Sequence, residues 1–361
     1  MAELATHKLF LLFACKHNDT ENSGFVLYSF SDKLRFEFDK PFLHEKFFIG
    51  SQHGWLSMLN RHCEPSLLNP LTGESVSLPS FTTLSRIRPH HSANGDIVSY
   101  FCRKLCRPQS NFGDRAFFDC LGEVTFKKIL ISSNPSTSLS NFFAAALLGY
   151  NSNLVVAKPG ASRWKFLQHQ EEEWYMDIMF RQDGKLICLT NEGSIHEVEL
   201  KDDNFVISEM TAPFLKQYID RAYLAEDCAS RVLVIHREYD FTTRPKTCNV
   251  KVFGLINGNG KESKLERVKS LGGQAIFVGT NASISLTKQD IRGEIKADTI
   301  YFTDEWWEWD HDQDEDDVES NWLKNICAYN LMSNSIKPCC PDEHQLCPLP
   351  LPIWIHLSNP K

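Results

Sequence analysis

Asp310, Asp312 and Asp314 alternate with His311 and Gln313 inside the run TDEWWEWDHDQDEDDVESNW. Carboxylates at every second position are what a calcium loop uses to surround a hard cation with oxygens. That loop also needs a glycine at its sixth position and a bidentate glutamate at its twelfth. Here those positions hold Glu315 and Asn321. The run therefore reads as a solvated, self-repelling insertion over 304–322 rather than a cation site. Trp306, Trp307 and Trp309 stand beside the acids, and aromatic anchors dominate interface energies. With Asp310, Asp312 and Asp314 they form a candidate docking segment for a basic protein partner.

Other chemistry is weaker on the page. Cys102 and Cys106, or Cys339, Cys340 and Cys347 with His344 nearby, resemble zinc half-sites. A structural zinc site wants two spaced pairs, and the second pair is missing at standard spacing. Ser51, His53 and Asp96 supply the residue types of a nucleophilic triad, but no Gly-x-Ser-x-Gly elbow carries them. The runs GNGK and LGGQ lack the phosphate-loop pattern and read as hairpin turns. No metal, no cofactor and no enzymatic activity is expected. The stretch from Arg86 to Arg115 holds Arg86, Arg88, Arg103, Lys104, Arg107 and Arg115 against Asp96 and Asp114. It lacks a clear hairpin and reads as a long solvated loop. Arg86, Arg88, Arg103 and Arg107 make it a second candidate contact surface.

Charge bears on partners. The net charge is -8, yet residues 304 to 319 alone hold ten acids; without them 36 acids face 38 bases. A near-neutral body argues against a nucleic-acid binder driven by phosphate contacts. Twelve cysteines show no framework spacing and no secretory signal precedes them. They read as reduced thiols of the cytosol or nucleus. No apolar run approaches the roughly 20 residues that span a bilayer, so no membrane partner is expected.

The elements that must position these residues are strands. Six segments show period-2 alternation on both arms of a turn: 25–38, 66–79, 154–167, 186–200, 250–268 and 326–339. Further strand-like runs lie between them, and SNFFAAALLGY, which could pass for a helix, is short and ends at Gly149. The spread fits blades of roughly 40–50 residues. The expected fold is all-β: a single β-propeller domain over 1–361 of six four-stranded blades, seven being the alternative. The terminal run LPLPIWIHLSNP would close the ring against an N-terminal strand. Two packed β-sandwiches are the competing architecture.

Several of these strands carry a resemblance. FIGSQHGWL (48–56) and SLLNPLTGESVSLP (66–79) are similar to the opening blade of the plant F-box-associated, kelch-like β-propeller family of KIB-type F-box proteins. KILISSNP (128–135), Trp174–Asp177, Asp183–Cys188, Asn191–Gly193, FVGTNASIS (277–285), IYFTD (300–304) and LPIW (351–354) follow in family order, so the resemblance covers roughly residues 8 to 356. Gly50, His53, Gly54, Trp55, Asn69, Pro70, Gly73 and Trp354 are its structural positions. Gly50 and Gly54 read as backbone-permissive points at strand ends, Trp55 as packing between blades, and His53 as a structural histidine. Many members carry an F-box before the propeller, a helical module that docks on the Skp adaptor of a cullin ubiquitin ligase. The 49 residues before Gly50 read as strands instead, so a propeller without an F-box is expected. The resemblance implies a non-enzymatic protein-interaction module that recognises substrates, its Skp and cullin link supplied by another chain. A ligand-binding or enzymatic propeller using the central channel, and a degenerate copy with little function, remain as alternatives.

Overall fold

The computed structural model describes residues 9–16, 23–38, 40, 43, 46–60, 62–102, 115–116, 126–137, 142–149, 152–167, 174–201, 204–213, 221–240, 246–256, 263–303, 326–339 and 352–357. The described residues contain no α-helix. Their strands form antiparallel meanders in chain order. β1 (Leu9–Lys16), β2 (Ser23–Ser29) and β3 (Leu34–Glu37) open the chain. β4 (Phe47–Gln52), β5 (Trp55–Leu59), β6 (Pro65–Leu68) and β7 (Ser75–Ser77) make the next sheet. β8 (Ile87–His91), β9 (Ile97–Cys102) and β10 (Arg115–Ala116) make a three-stranded one. Then come β11 (Phe126–Ile131), β12 (Ala144–Leu148), β13 (Asn153–Ala157) and β14 (Lys165–Phe166), and after them β15 (Tyr175–Phe180), β16 (Leu186–Thr190), β17 (Ile195–Lys201) and β18 (Asn204–Thr211). β19 (Arg221–Glu226), β20 (Val232–Asp240), β21 (Lys246–Ile256) and β22 (Lys264–Val268) follow. β23 (Ala275–Val278), β24 (Ile284–Leu286), β25 (Thr299–Phe302), β26 (Cys327–Asn330) and β27 (Ser335–Pro338) form a five-stranded sheet. β28 (Ile353–His356) returns to pair with β1, Leu11 facing Trp354, so chain-terminal strands share one blade.

The chain is a six-bladed β-propeller, and each of the six hairpins expected from the sequence falls in a different blade: β2–β3, β6–β7, β13–β14, β16–β17, β21–β22 and β26–β27. SNFFAAALLGY contains a strand, not a helix. Its Ala144, Ala145 and Ala146 are fully buried between β11 and β13, where small side chains fit a strand covered on both faces. Two details differ from a uniform set of four strands. The blade of β23–β27 has an extra strand, β24, and its β23–β25 pair is parallel. Within the stretch 86–115, read as a solvated loop, the described residues instead form the β8–β10 sheet.

Contacts divide the chain into two compact units, Glu45–Glu209 and Met1–His44 with Met210–Lys361. Within Glu45–Glu209, β4 packs directly against β11, so the β8–β10 sheet between them in sequence is an insertion and not a seventh blade. Trp55 Nε1 donates to Asn134 Oδ1 (3.0 Å), and the Ile131 amide donates to Gln52 Oε1 (2.9 Å). Trp164, packed on Phe126, donates its indole N–H to the Pro79 carbonyl at 2.7 Å. Each bond satisfies a polar group that burial between sheets would otherwise leave costly.

The other unit is held by aromatic packing. Phe277 stacks on Tyr301 (4.6 Å, 9°) and meets Trp354 edge-on at 4.9 Å, while Phe30 meets Trp354 at 5.1 Å. Trp354 has no exposed surface. Such offset and T-shaped pairs add about 0.5–1.5 kcal/mol each beyond their area. Burial pushes the Tyr301 phenol up to about 12, and its oxygen accepts the Lys296 amide at 2.8 Å.

Candidate functional site

The β8–β10 sheet has two unlike faces. On one, Ile87 of β8 faces Cys102 of β9, and Tyr100 lies on the same side. All three are buried in the core that also holds Phe81, Leu84 and Trp55. Tyr100 meets Phe81 at 4.8 Å, and burial, with the charge of Glu64, raises its pKa. On the other face Phe101 is register-paired with Arg88 on one side and with position Arg115 on the other. Residues directly opposite in an antiparallel pair share a face. Phe101 is 45% exposed, whereas Ile97, 37% exposed, pairs with His91 and so lies on the Ile87 side of the sheet at its turn end, beyond the register shift. His90 meets the Phe101 ring edge-on at 5.9 Å.

The turn that projects this face is built locally. The Ser92 amide donates to the Asp96 carbonyl (2.7 Å), the Gly95 amide to the Ser92 carbonyl (3.0 Å), and Gly95 sits at φ +90°. A three-residue loop closing on a left-handed residue matches the twist of its flanking strands. His91 Nδ1 lies 2.9 Å from the Gly95 carbonyl and holds the loop from the side.

A second cluster is buried. The strands β4, β11 and β15 each carry a register shift after an aromatic residue: Phe48 to Gly50, Phe126 to Lys128, and Tyr175 to Asp177. A bulge re-aims the next side chain, so Gly50, Lys128 and Asp177 occupy equivalent positions on three successive blades. Lys128 Nζ lies 2.6 Å from Asp177 Oδ1, their side chains only 6% and 4% exposed. The same oxygen accepts the Ile178 amide at 2.9 Å. A Cβ on Gly50 would meet the Ile129 carbonyl oxygen at 2.0 Å. The reason for glycine here is therefore the close approach of β11, rather than the backbone freedom expected of it. The arrangement is an internally neutralised pair between blades.

The remaining positions sort as follows. Arg86 and Arg88 part company. Arg86 donates to Asn153 Oδ1 (3.0 Å) and lies over the Phe166 ring at 4.7 Å, tying the insertion to the β11–β14 blade, while Arg88 is exposed. Arg103, Arg107, Trp306, Trp307, Trp309, Asp310, Asp312 and Asp314 lie outside the described residues, as do Cys106, Cys340, Cys347 and His344. Among the described residues no group of three or more His, Cys, Asp or Glu could hold a metal ion. His53 and Gly54, at φ +54° and +80°, are the two central residues of the β4–β5 hairpin between Gln52 and Trp55. A two-residue turn of this kind requires positive φ at both. Crowding around the exposed His53 ring lowers its pKa, against a hydrogen bond with the Ile131 backbone that raises it. Ser51 is buried on β4 and Asp96 belongs to the β8–β9 turn. Asn69 Oδ1 accepts the Leu71 and Thr72 amides, and Gly73, at φ +78°, donates to the Asn69 carbonyl, with Pro70 between them.

Phe101, Val98, Ile97 and His90 were not singled out in the sequence. Their signal was the Asn94–Gly95 dipeptide between IRPHH and IVSYFC, a strong short-range hairpin mark. The Lys128–Asp177 pairing had no such signal, because 49 positions separate the partners.

The fold defines the class of the chain: a six-bladed β-propeller with a sheet inserted between two of its blades. The KIB1-4 beta-propeller family matches residues 27–330, and the chain belongs to that family. A putative F-box protein of Arabidopsis thaliana, At5g60060, is 23% identical over 181 residues, 49% of this chain and 46% of that protein. Another from the same plant, At5g38270, is 21% identical over 285 residues, 73% of this chain and 66% of that protein. The chain thus spans between about half and two thirds of the relatives' lengths. Among solved structures, the Myceliophteria thermophila Cps50 (Swd1) β-propeller domain aligns with a TM-score of 0.40 and 8% identity, over 92% of this chain and 85% of that one. The family and the curated relatives are propeller and F-box proteins, not enzymes. No helix among the described residues is long and apolar enough to cross a membrane.

Proposed function

We propose that this chain is a non-catalytic recognition propeller of the F-box-related kind, which holds a protein partner for a ubiquitin ligase. The observation that carries this reading is the β8–β10 sheet. One face is anchored in the core, while the other leaves Phe101 to solvent beside Arg88. An exposed aromatic ring beside an arginine is a pairing met at interface hot spots. A sheet inserted between blades places them on a stable mount, as binding residues on loops are usually placed. The acidic tryptophan segment 304–322 is a second contact surface in this reading, suited to a basic protein. The Skp and cullin link is supplied by an associated chain or by a segment of the longer protein, and the site of action is the cytosol or nucleus.

The test is affinity purification from plant cells of the wild-type chain beside an Arg88→Glu/Phe101→Ser variant. Loss of a partner in the variant, with Skp and cullin recovered alongside the wild-type protein, is expected. An identical set of partners from both proteins would overturn the reading.

A further inference from the structure

We infer that β18 is an open sheet edge on which a second copy of this chain pairs, strand to strand, about a two-fold axis at Val206. Each blade ends in an outer strand, and such a strand offers a row of backbone N–H and C=O groups to any other strand. Proteins blunt these edges by keeping them short or by placing charge or proline on them. Five of the six outer strands do so. β7 and β14 run three and two residues, β3 carries Arg35 and Glu37, β22 carries Lys264, Glu266 and Arg267, and β27 carries Lys337 and Pro338. β18 runs eight residues, NFVISEMT, without lysine, arginine or proline. Phe205 and Val206, on opposite faces of the strand, are 37% and 56% exposed. Asn204 and Ser208 are exposed beside them, and Ile207 is half-buried.

The order of side chains selects the partner. Backbone pairing at an edge is indifferent to sequence, so the choice falls to the side-chain rows that form across the new junction. An antiparallel copy centred on Val206 sets the two Val206 side chains opposite each other on one face. On the other face Phe205 of each copy meets Ile207 of the other, and Asn204 meets Ser208 at both ends. Apolar rows thus meet apolar and polar rows polar, and 204–208 holds no charged residue. A copy centred on Ile207 would instead set Phe205 against Glu209, so the Val206 register is preferred. The pairing uses up both edges and therefore closes at two copies. A five-residue junction is small beside the about 1,200 Å² of a standard interface, so a dissociation constant on the order of 1–100 μM is expected.

Sedimentation equilibrium of the full chain over about 1–300 μM brackets that range. Wild type is expected to pass from monomer to dimer and to stop there. Val206→Lys sets two ammonium groups opposite each other and should weaken the dimer about tenfold or more. Val206→Thr keeps a β-branched side chain and should retain it. Met332→Lys, at the 68% exposed methionine of the β26–β27 turn, should leave it unchanged. An unaltered thermal midpoint of Val206→Lys at the dilute end confirms that folding is intact. Amide exchange in 205–207 should slow as wild-type concentration rises. A wild-type chain monomeric throughout overturns the inference. So does association that continues past the dimer, or that Met332→Lys weakens as much as Val206→Lys. A monomeric chain that loses a cellular partner on Val206→Lys would assign the edge to another protein and overturns it as well.

Discussion

Two rows of residues within Glu45–Glu209 each hold a cation, to opposite ends. At the bulges of β11 and β15, Lys128 and Asp177 are removed from water and closed on one another at 2.6 Å. On β8 and β9, Arg88 and Phe101 face each other with both side chains exposed. A buried charge is tolerated only when paired and hydrogen-bonded, and is then neutral toward any ligand. An exposed cation beside an exposed aromatic keeps its binding capacity. The first row joins blades; the second is available to a partner. What separates the two cations is burial and the partner each one meets.

Removing one member of the buried pair is the strongest way to probe that distinction. Lys128→Ala leaves the Asp177 carboxylate without its Lys128 partner in a site where water does not reach it. A loss of about 3–5 kcal/mol is expected, read as a lower denaturant midpoint with an unchanged slope. The double change Lys128→Met/Asp177→Leu should be milder, because it removes both charges and keeps the volume. A single variant as stable as wild type would mean that the pair is not desolvated, and the contrast would collapse. Gly50→Ala should come next. Its added methyl would meet the Ile129 carbonyl, a backbone atom that can retreat only by moving β11 away from β4. A loss of about 1–3 kcal/mol is expected.

Much of this molecule is legible in its sequence, and the gaps have physical causes. The six hairpins were readable because alternation and turn residues are local signals. Trp354 on β28 was readable from its apolar run after prolines. Gly50 was recognised as a structural position, but its reason was not, since the Ile129 carbonyl that excludes a side chain comes from a strand 79 residues later. The Lys128–Asp177 pair was hidden for the same reason. The β8–β10 sheet was missed because Arg88, Pro89, His90 and His91 give β8 a polar, proline-broken reading. Only the Asn94–Gly95 turn and the buried Tyr100 and Cys102 reveal the hairpin. Arg86 and Arg88, two positions apart, looked alike in the sequence; Asn153 and Phe166 set them apart in the fold.

A subtler probe lies at His53, between the two rows in character: exposed, yet crowded enough to hold its pKa below the ordinary value. The unfolded chain then binds more protons than the folded one near pH 6, so stability rises with pH through that window. The contribution is present above the unfolded value of about 6.5 and is lost as pH falls toward and through the lowered folded one. His53→Asn removes this group and places Asn-Gly, the favoured pair for the turn, at the same two positions. The variant is expected to keep or slightly raise stability at pH 7.5 and to lose less than wild type between pH 7 and 5. A pH dependence identical to wild type would show that the ring titrates alike in both states.

The smallest expected effect on stability belongs to the exposed row. Arg88→Glu and Phe101→Ser remove no buried contact comparable to Lys128–Asp177; the opposite face of the sheet, through Ile87, Tyr100 and Cys102, holds the insertion in place. Each change should alter unfolding free energy by no more than about 0.5–1 kcal/mol, Phe101 the more because its edge contact with His90 is lost. Thermal midpoints measured for these two variants beside Lys128→Ala set the scale. Should Phe101→Ser approach the cost of Lys128→Ala, the aromatic would be part of the scaffold after all, and the exposed face would lose its claim to be kept for a partner.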